Sequence, residues 1–177
     1  MADDQQIWDL LHSLDRLPAP GHLEFPEGFD HERAEARAAA LCERLSDDFG
    51  GPCRLDRAQD ASAYFRTVVA AHLTAAGVPL GIRLSNYGWL AAVTAPLPDS
   101  HADLDDAVEQ GAVSAADRRR VEVALTELGY EIVPLRLLHH RYDGVTWLAD
   151  DVPGAVVLSY GPHAGEATWW TRFFEHL

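Results

Sequence analysis

PLGIRLSNYGWLAAVT, residues 79–94, decides the fold. Two apolar runs, 79–85 and 89–94, flank Asn86-Tyr87-Gly88, in which Asn86 and Gly88 both tolerate the positive φ that a tight hairpin turn demands. The runs read as antiparallel neighbours. Pro96 and Pro98 end the second strand, because proline has no N–H to give a ladder.

Upstream of the hairpin the hydrophobic period lengthens toward 3.6. Ile7, Trp8, Leu10, Leu11, Leu14 and Leu17 recur at helical spacing, with Asp3 or Asp4 as N-cap and Pro-Ala-Pro-Gly at 18–21 as the stop. A second helix is expected from near Asp30 to about Asp48, with Ala34, Ala38, Leu41, Cys42 and Leu45 on one face and Gly50-Gly51 as its C-cap. Residues 52–58 alternate weakly as a strand. Residues 62–73 fit a long strand or a short buried helix, and the cluster Tyr64, Phe65, Thr67, Val68, Val69 favours the strand.

Downstream, residues 102–111 form a short acidic helix and a stronger one starts at Ser114. There Ser114-Ala115-Ala116-Asp117 resembles a capping box, and Val121, Ala124, Leu125 and Leu128 make an apolar stripe that stops at Gly129. Residues 130–133 and 155–160 read as strands, and 135–142 is ambiguous. Residues 168–177 carry Trp169, Trp170, Phe173 and Phe174 and must dock on the core, as strand or short helix. The expectation is one α+β domain over 1–177, with N-terminal helices and one later helix packed on an antiparallel or mixed sheet. Residues 1–21 are either part of that body or a peripheral helix.

The 177 residues hold 47% hydrophobic side chains, enough to bury a real core and to exclude a disordered acidic chain. All 14 basic residues are arginine, which fits a GC-rich coding bias, against 28 acids and a net charge of -14. That balance argues against nucleic acid, which asks for a basic face. No leader and no apolar run long enough for a bilayer is visible, so the expected location is cytoplasmic, away from membranes. Cys42 and Cys53 stand eleven apart and make neither a redox motif nor a zinc pair.

The arginines divide the charge unevenly. Between Arg83 and Arg118 the only charges are Asp99, Asp103, Asp105, Asp106, Glu109 and Asp117; between Arg141 and Arg172 they are Asp143, Asp150, Asp151 and Glu166. These two segments carry -10 of the total. Brought to one edge of the sheet, they would attract a basic partner; the plainer reading is a solvated acidic exterior.

Catalytic motifs are missing. No glycine-rich phosphate loop occurs, and a Walker lysine is impossible without lysine. Ser85 lacks the G-x-S-x-G elbow. The adjacent pairs Asp47-Asp48, Asp105-Asp106 and Asp150-Asp151 suit capping and solvation better than acid–base work. His139-His140, with His163 further on, is the densest histidine grouping, but adjacent residues point to different sides and cannot easily share an ion. No metal and no cofactor is expected.

Ile82-Arg83-Leu84-Ser85-Asn86-Tyr87-Gly88, Gly129-Tyr130 with Val133-Pro134, Tyr142-Asp143-Gly144 and the closing Thr168-Trp169-Trp170 with Arg172-Phe173-Phe174 resemble small bacterial immunity proteins found beside polymorphic toxins. The resemblance covers the C-terminal half, consists of structural residues, and implies a binder rather than an enzyme. The expected function is an acidic cytoplasmic protein-binding module, an immunity protein neutralising a basic toxin. It would bind through Asp99, Asp103, Asp105, Asp106, Asp150 and Asp151, with Trp147 as an aromatic anchor. The alternative is a small enzyme or a metal- or ligand-binding domain with a site near His139, His140, His163 and Tyr160.

Overall fold

The structure, a computed structural model, describes residues 3–19, 24–57, 62–146, 148 and 159–175. Helix α1 (Asp4–Asp15) starts at a full capping box: the Asp3 carboxylate accepts from the Gln6 N–H at 2.8 Å, and the Gln6 side chain accepts from the Asp3 N–H at 3.1 Å. Helix α2 (His31–Phe49) is capped by Asp30 and ends at Gly50, whose φ of 70° is the left-handed conformation that glycine adopts without strain.

Five strands follow along the chain: β1 (Arg54–Arg57), β2 (Phe65–Val69), β3 (Leu80–Leu84), β4 (Leu90–Thr94) and, after α3 (Leu104–Glu109) and α4 (Ala115–Glu127), β5 (Glu131–Ile132). They lie side by side in sequence order. The first three pairings are antiparallel and β4 pairs β5 in parallel, so the sheet is mixed and the fold is α+β. A short helix, α5 (Leu135–Leu138), resolves the ambiguous 135–142.

The hairpin is real, but its turn works differently from the expectation. Gly88 and Trp89 carry the positive φ, 56° and 57°, while Asn86 does not. Asn86 is buried, and its side chain serves as a tie: its carbonyl accepts from the Tyr64 N–H and its amide donates to the Glu24 carbonyl. Gly88 is needed for a second reason, since a Cβ there would lie 2.5 Å from Leu14 Cδ1 of α1.

Other differences are local. Within 62–73 only 65–69 is strand, and a 3-10 turn over Ala71–Leu73 follows it. Ser114 caps α4 by accepting from the Asp117 N–H, but the Asp117 carboxylate turns away to the Ala75 N–H and Arg120. Most of the expected strand 155–160 lies outside the described residues, and Ser159 and Tyr160 are irregular.

Strand alternation sends neighbouring residues to opposite faces of the sheet. On β4, Ala91 and Val93 join a cluster with Ala38, Leu41, Leu45, Phe65, Ile82, Val121 and Leu125, under α2 and α4. Leu90 and Ala92 join the other cluster, with Ile7, Leu11, Leu138, Trp169, Trp170, Phe173 and Phe174, under α1, α5 and the C-terminal segment. Helix α1 therefore contributes Ile7, Leu11 and Leu14 to the core. The C-terminal segment is helical at Trp169 and Trp170 and π-helical over Thr171–Glu175.

This second face also buries charge. The Arg172 Nε donates to Asp15 Oδ1 at 2.8 Å, and both side chains are almost completely enclosed. Asp15 Oδ2 accepts from the Tyr142 hydroxyl and from the Val145 N–H, each at 2.7 Å. The Arg172 guanidinium lies 4.3 Å from the centre of the Tyr87 ring. Burial pushes the Asp15 carboxyl up, but the hydrogen bonds from Tyr142, Arg172, Val145 and Thr146 outweigh it and hold the group below its ordinary value.

Candidate functional site

The one parallel pairing among the described strands directs attention to its carboxyl end. Ligands in open sheets tend to bind in crevices outside the carboxyl ends of parallel strands, because the loops leaving two neighbours diverge there. The loop after β4 supplies Asp99, His101 and Ala102; α5 and the residues just past it, which follow β5, supply Arg136, His139 and His140. A 3-10 turn, Gly161–His163, closes the third side. Together they enclose a cavity of about 290 Å³.

His139 is the buried member, 6% exposed, and its Nε2 has no hydrogen-bond partner. Burial pulls its pKa below the ordinary value, against the opposing charge of Asp99, so the imidazole is held neutral at pH 7. Tyr160 and Trp170 back it, with ring centres at 6.5 Å and 6.3 Å. His140 is exposed, and the Trp8 ring meets it edge-on at 5.3 Å. The two neighbouring histidines both line the cavity at the end of α5, His139 as its C-cap and His140 just past it.

Each of the three nitrogens of Arg136 is engaged. Its Nη1 and Nη2 fork onto Asp4 at 2.6 Å and 2.8 Å, and its Nε reaches Asp103 at 3.0 Å. One guanidinium thus ties α1, α3 and α5 together at the cavity wall. His101 Nδ1 sits 3.6 Å from Asp106, whose carboxyl is held below its ordinary value first by the Ala102 N–H and then by Gln110.

The acid-only segment of the sequence is not acid-only in space. Asp103 caps α3 and pairs with Arg136, and Asp105 pairs with Arg118. Asp106 accepts from Ala102 and Gln110. Asp99 alone of these four is exposed with no ion pair or hydrogen bond to the described residues; it follows Leu97, 58% exposed, by two positions. Trp147, Asp150 and Asp151 lie outside the described residues.

Neither His101 nor Arg136 stands out in the sequence. The signal that finds them is topological: each lies just past the carboxyl end of β4 or β5. Among the described residues no group of three or more His, Cys, Asp or Glu is placed to hold a metal ion. Ser85 is buried, its Oγ donating to the Phe173 carbonyl at 2.8 Å and accepting from the Tyr87 N–H, which makes it a structural strut. Cys42 and Cys53 are free and partly buried, and burial pushes both thiols up, away from reactivity.

Comparison with protein-family models, curated proteins and solved structures found no match, which leaves the geometry of the site to carry the functional argument. No helix of the described residues is long and apolar enough to cross a membrane.

Proposed function

We propose that the chain is an acidic cytoplasmic module that binds a basic protein, in the manner of an immunity protein on a toxin, with its docking centre at the mouth of the histidine-lined cavity. The charge around that mouth carries the reading. Asp99 stands in the wall, Asp4 and Asp103 share the single guanidinium of Arg136, and Asp106 lies against His101. Asp99 is exposed at this edge, and a net charge of -14 adds a long-range field that speeds capture of a cation. Compared with the six acids expected from the sequence, the proposed centre narrows to Asp99 and its neighbours. Asp150, Asp151 and Trp147 belong to the reading through the sequence alone.

The test pairs the protein with the product of a toxin-like gene immediately upstream of its own. Tight binding that weakens with salt and with Asp99→Asn supports the proposal. The absence of such a gene, or binding unchanged by both perturbations, overturns it. A second reading, a small ligand-binding or catalytic domain centred on His139, His140 and His163, is favoured by the grouping of these three histidines in one cavity wall. A small molecule bound stoichiometrically in the cavity, with no protein partner, would decide for it.

A further inference from the structure

We propose that Arg33 and Arg37, held against the Trp89 ring at the amino end of β4, form a receptor for a phosphate group. The site lies at the end of β4 opposite the histidine-lined cavity, and the inference stands apart from the acidic-module reading.

Charge comes first. Acids outnumber arginines two to one in this chain, and most arginines hold a carboxylate within 4.0 Å, as Arg44, Arg118 and Arg141 do. Among the described residues Arg33 and Arg37 hold none, and no hydrogen bond engages either guanidinium. The helix register explains this. On α2 the positions three and four away from Arg37 carry Arg33, Ala34, Ala40 and Leu41, and the one acid so placed from Arg33 is Asp30. Asp30 is already spent, since its carboxylate caps the helix by accepting the Arg33 N–H at 3.0 Å. Glu35 turns away to Arg57.

The ring beneath them sits in a strained conformation. Residues 87–90 make a tight turn, closed by the Leu90 N–H on the Tyr87 carbonyl at 3.2 Å, with φ of 56° at Gly88 and 57° at Trp89. At the second of these positions glycine is the usual residue and a bulky side chain is an outlier. Such strain concentrates at ligand sites. The half-buried Trp89 ring meets Tyr130 edge-on at 6.2 Å and carries the guanidinium carbons of Arg37 and Arg33 at 3.9 Å and 5.6 Å from its centre. Stacking occupies the flat face of a guanidinium and leaves its N–H edge free. Arg33 is exposed and Arg37 half-buried, so a guest in solution reaches both.

Two neighbouring guanidiniums repel a cation. A carboxylate brings one charge and two oxygens, which one guanidinium fork satisfies. A phosphate monoester brings nearly two charges at pH 7.5 and three acceptor oxygens, enough for both forks. Bound between them, it also relieves the repulsion of like charges one helical turn apart. The opposing group is the exposed Glu27, in the wall of a recess of about 180 Å³ that Arg33 and Trp89 also line. That recess has room for a small substituent on the phosphate.

Nuclear magnetic resonance of the full chain tests this. The Nε–H signals of Arg33, Arg37 and Arg119 are followed while inorganic phosphate, or acetate, is added at pH 7.5 and constant ionic strength. Arg119 is the control, exposed and unpaired among the described residues but with no ring beneath it, and it feels the same net charge of -14. Arg33 and Arg37 are expected to saturate together, at about tenfold less phosphate than Arg119 requires, with acetate about tenfold weaker than phosphate. Arg33→Gln, at an exposed position, is expected to weaken the response of Arg37 about fivefold, and Glu27→Gln to strengthen it about twofold. Trp89→Gly relaxes the turn and removes the ring, and Arg33 should then respond as Arg119 does. Arg33→Gln leaves the turn intact and decides the matter if Trp89→Gly does not fold.

Equal responses at the three arginines overturn the inference, as does acetate binding as tightly as phosphate. So does an unchanged response of Arg37 in Arg33→Gln, or of Arg33 in a folded Trp89→Gly. Glycerol 3-phosphate and N-acetyl-phosphoserine amide carry the same dianion and distinguish its sources. The tighter of the two assigns the phosphate to a small molecule or to a protein side chain, and inorganic phosphate binding tighter than either assigns the site to the free ion.

Discussion

The two faces of the sheet solve the same problem with different chemistry. Under α2 and α4 the buried core is mainly aliphatic, with Leu41, Leu45, Ile82, Val93 and Leu125 beside Phe49, Phe65 and Tyr130. Under α1, α5 and the C-terminal segment it is aromatic, with Trp169, Trp170, Phe173, Phe174 and Tyr87 completely enclosed, and it contains an ion pair. Aliphatic packing tolerates exchange so long as volume is kept. A buried charge does not, since each of its partners must arrive together. The Asp15–Arg172 pair joins positions 157 residues apart, the end of α1 to the π-helical turn at Thr171–Glu175, so the second face specifies how these two segments meet.

The largest effect should therefore come from breaking that pair. Arg172→Met leaves the Asp15 carboxylate enclosed without its counter-charge, and the expected loss is about 3–5 kcal/mol in urea or guanidinium unfolding. Replacing both partners, Asp15→Leu with Arg172→Met, should recover much of the loss, because two apolar groups no longer carry desolvation. A double variant as unstable as the single would show that the hydrogen bonds from Tyr142 and Val145 matter more than the pairing. On the opposite face, Leu41→Ala should cost about 2–4 kcal/mol from lost burial and the cavity it leaves. If Leu41→Ala costs more than Arg172→Met, the contrast between the faces is wrong.

The faces also differ in how much of them is readable from sequence. Ala34, Ala38, Leu41 and Leu45 repeat at helical spacing, and the strand alternation places Ile82 and Val93 opposite them, so the aliphatic face follows from period alone. Asp15 and Arg172 carry no such signal, because their meaning comes from a contact made only in three dimensions. The cavity behaves the same way. His139 and His140 are visible as a pair, but His101 reaches them through the parallel β4–β5 pairing and the closing turn comes from more than twenty residues further along the chain. The acid-only segment shows the converse: Arg118 and Arg136, distant in sequence, fold back onto Asp105 and Asp103. At the hairpin the turn was legible, whereas the division of labour between Gly88 with Trp89 for φ and Asn86 for tying was not.

A pH titration separates the faces without changing their shape. The Asp15 carboxyl is held below its ordinary value of 3.8, so its unfolded state binds a proton more readily than the folded one. Its contribution is fully present above that ordinary value and is lost as pH falls through the lowered folded value. Leu41→Ala should keep the wild-type loss of stability between pH 5 and pH 2, as read from the urea midpoint, about unchanged in slope. Arg172→Met should make it shallower, because the carboxyl loses one of the partners, second to Tyr142, that hold its pKa down. Equal slopes in the two variants would assign the acid sensitivity to carboxylates elsewhere.

The smallest expected effect lies where the second face thins out over β2 and β3. Arg66 and Arg83 are directly opposed in the ladder, and like charges so placed are destabilising by a few tenths of a kcal/mol. Arg83 is held to about 10, first by burial and then by the charge of Arg66, and it finds a counter-ion in Glu175. Arg66 has Asp56 opposite it on the other side, but Asp56 is already forked by Arg54 at 2.6 Å and 2.9 Å. Repulsion from Arg83 should therefore outweigh attraction to Asp56, and Arg66→Gln should stabilise by about 0.5 kcal/mol or less, fading at high salt. The gain is limited because Gly81 leaves room for the Arg66 side chain, whose Nη2 lies 2.9 Å from where a Cβ would stand, and the shorter glutamine gives up that packing. A loss that shrinks with salt would mean Asp56 dominates; a loss indifferent to salt would mean the apolar stem of Arg66 covers this part of the sheet.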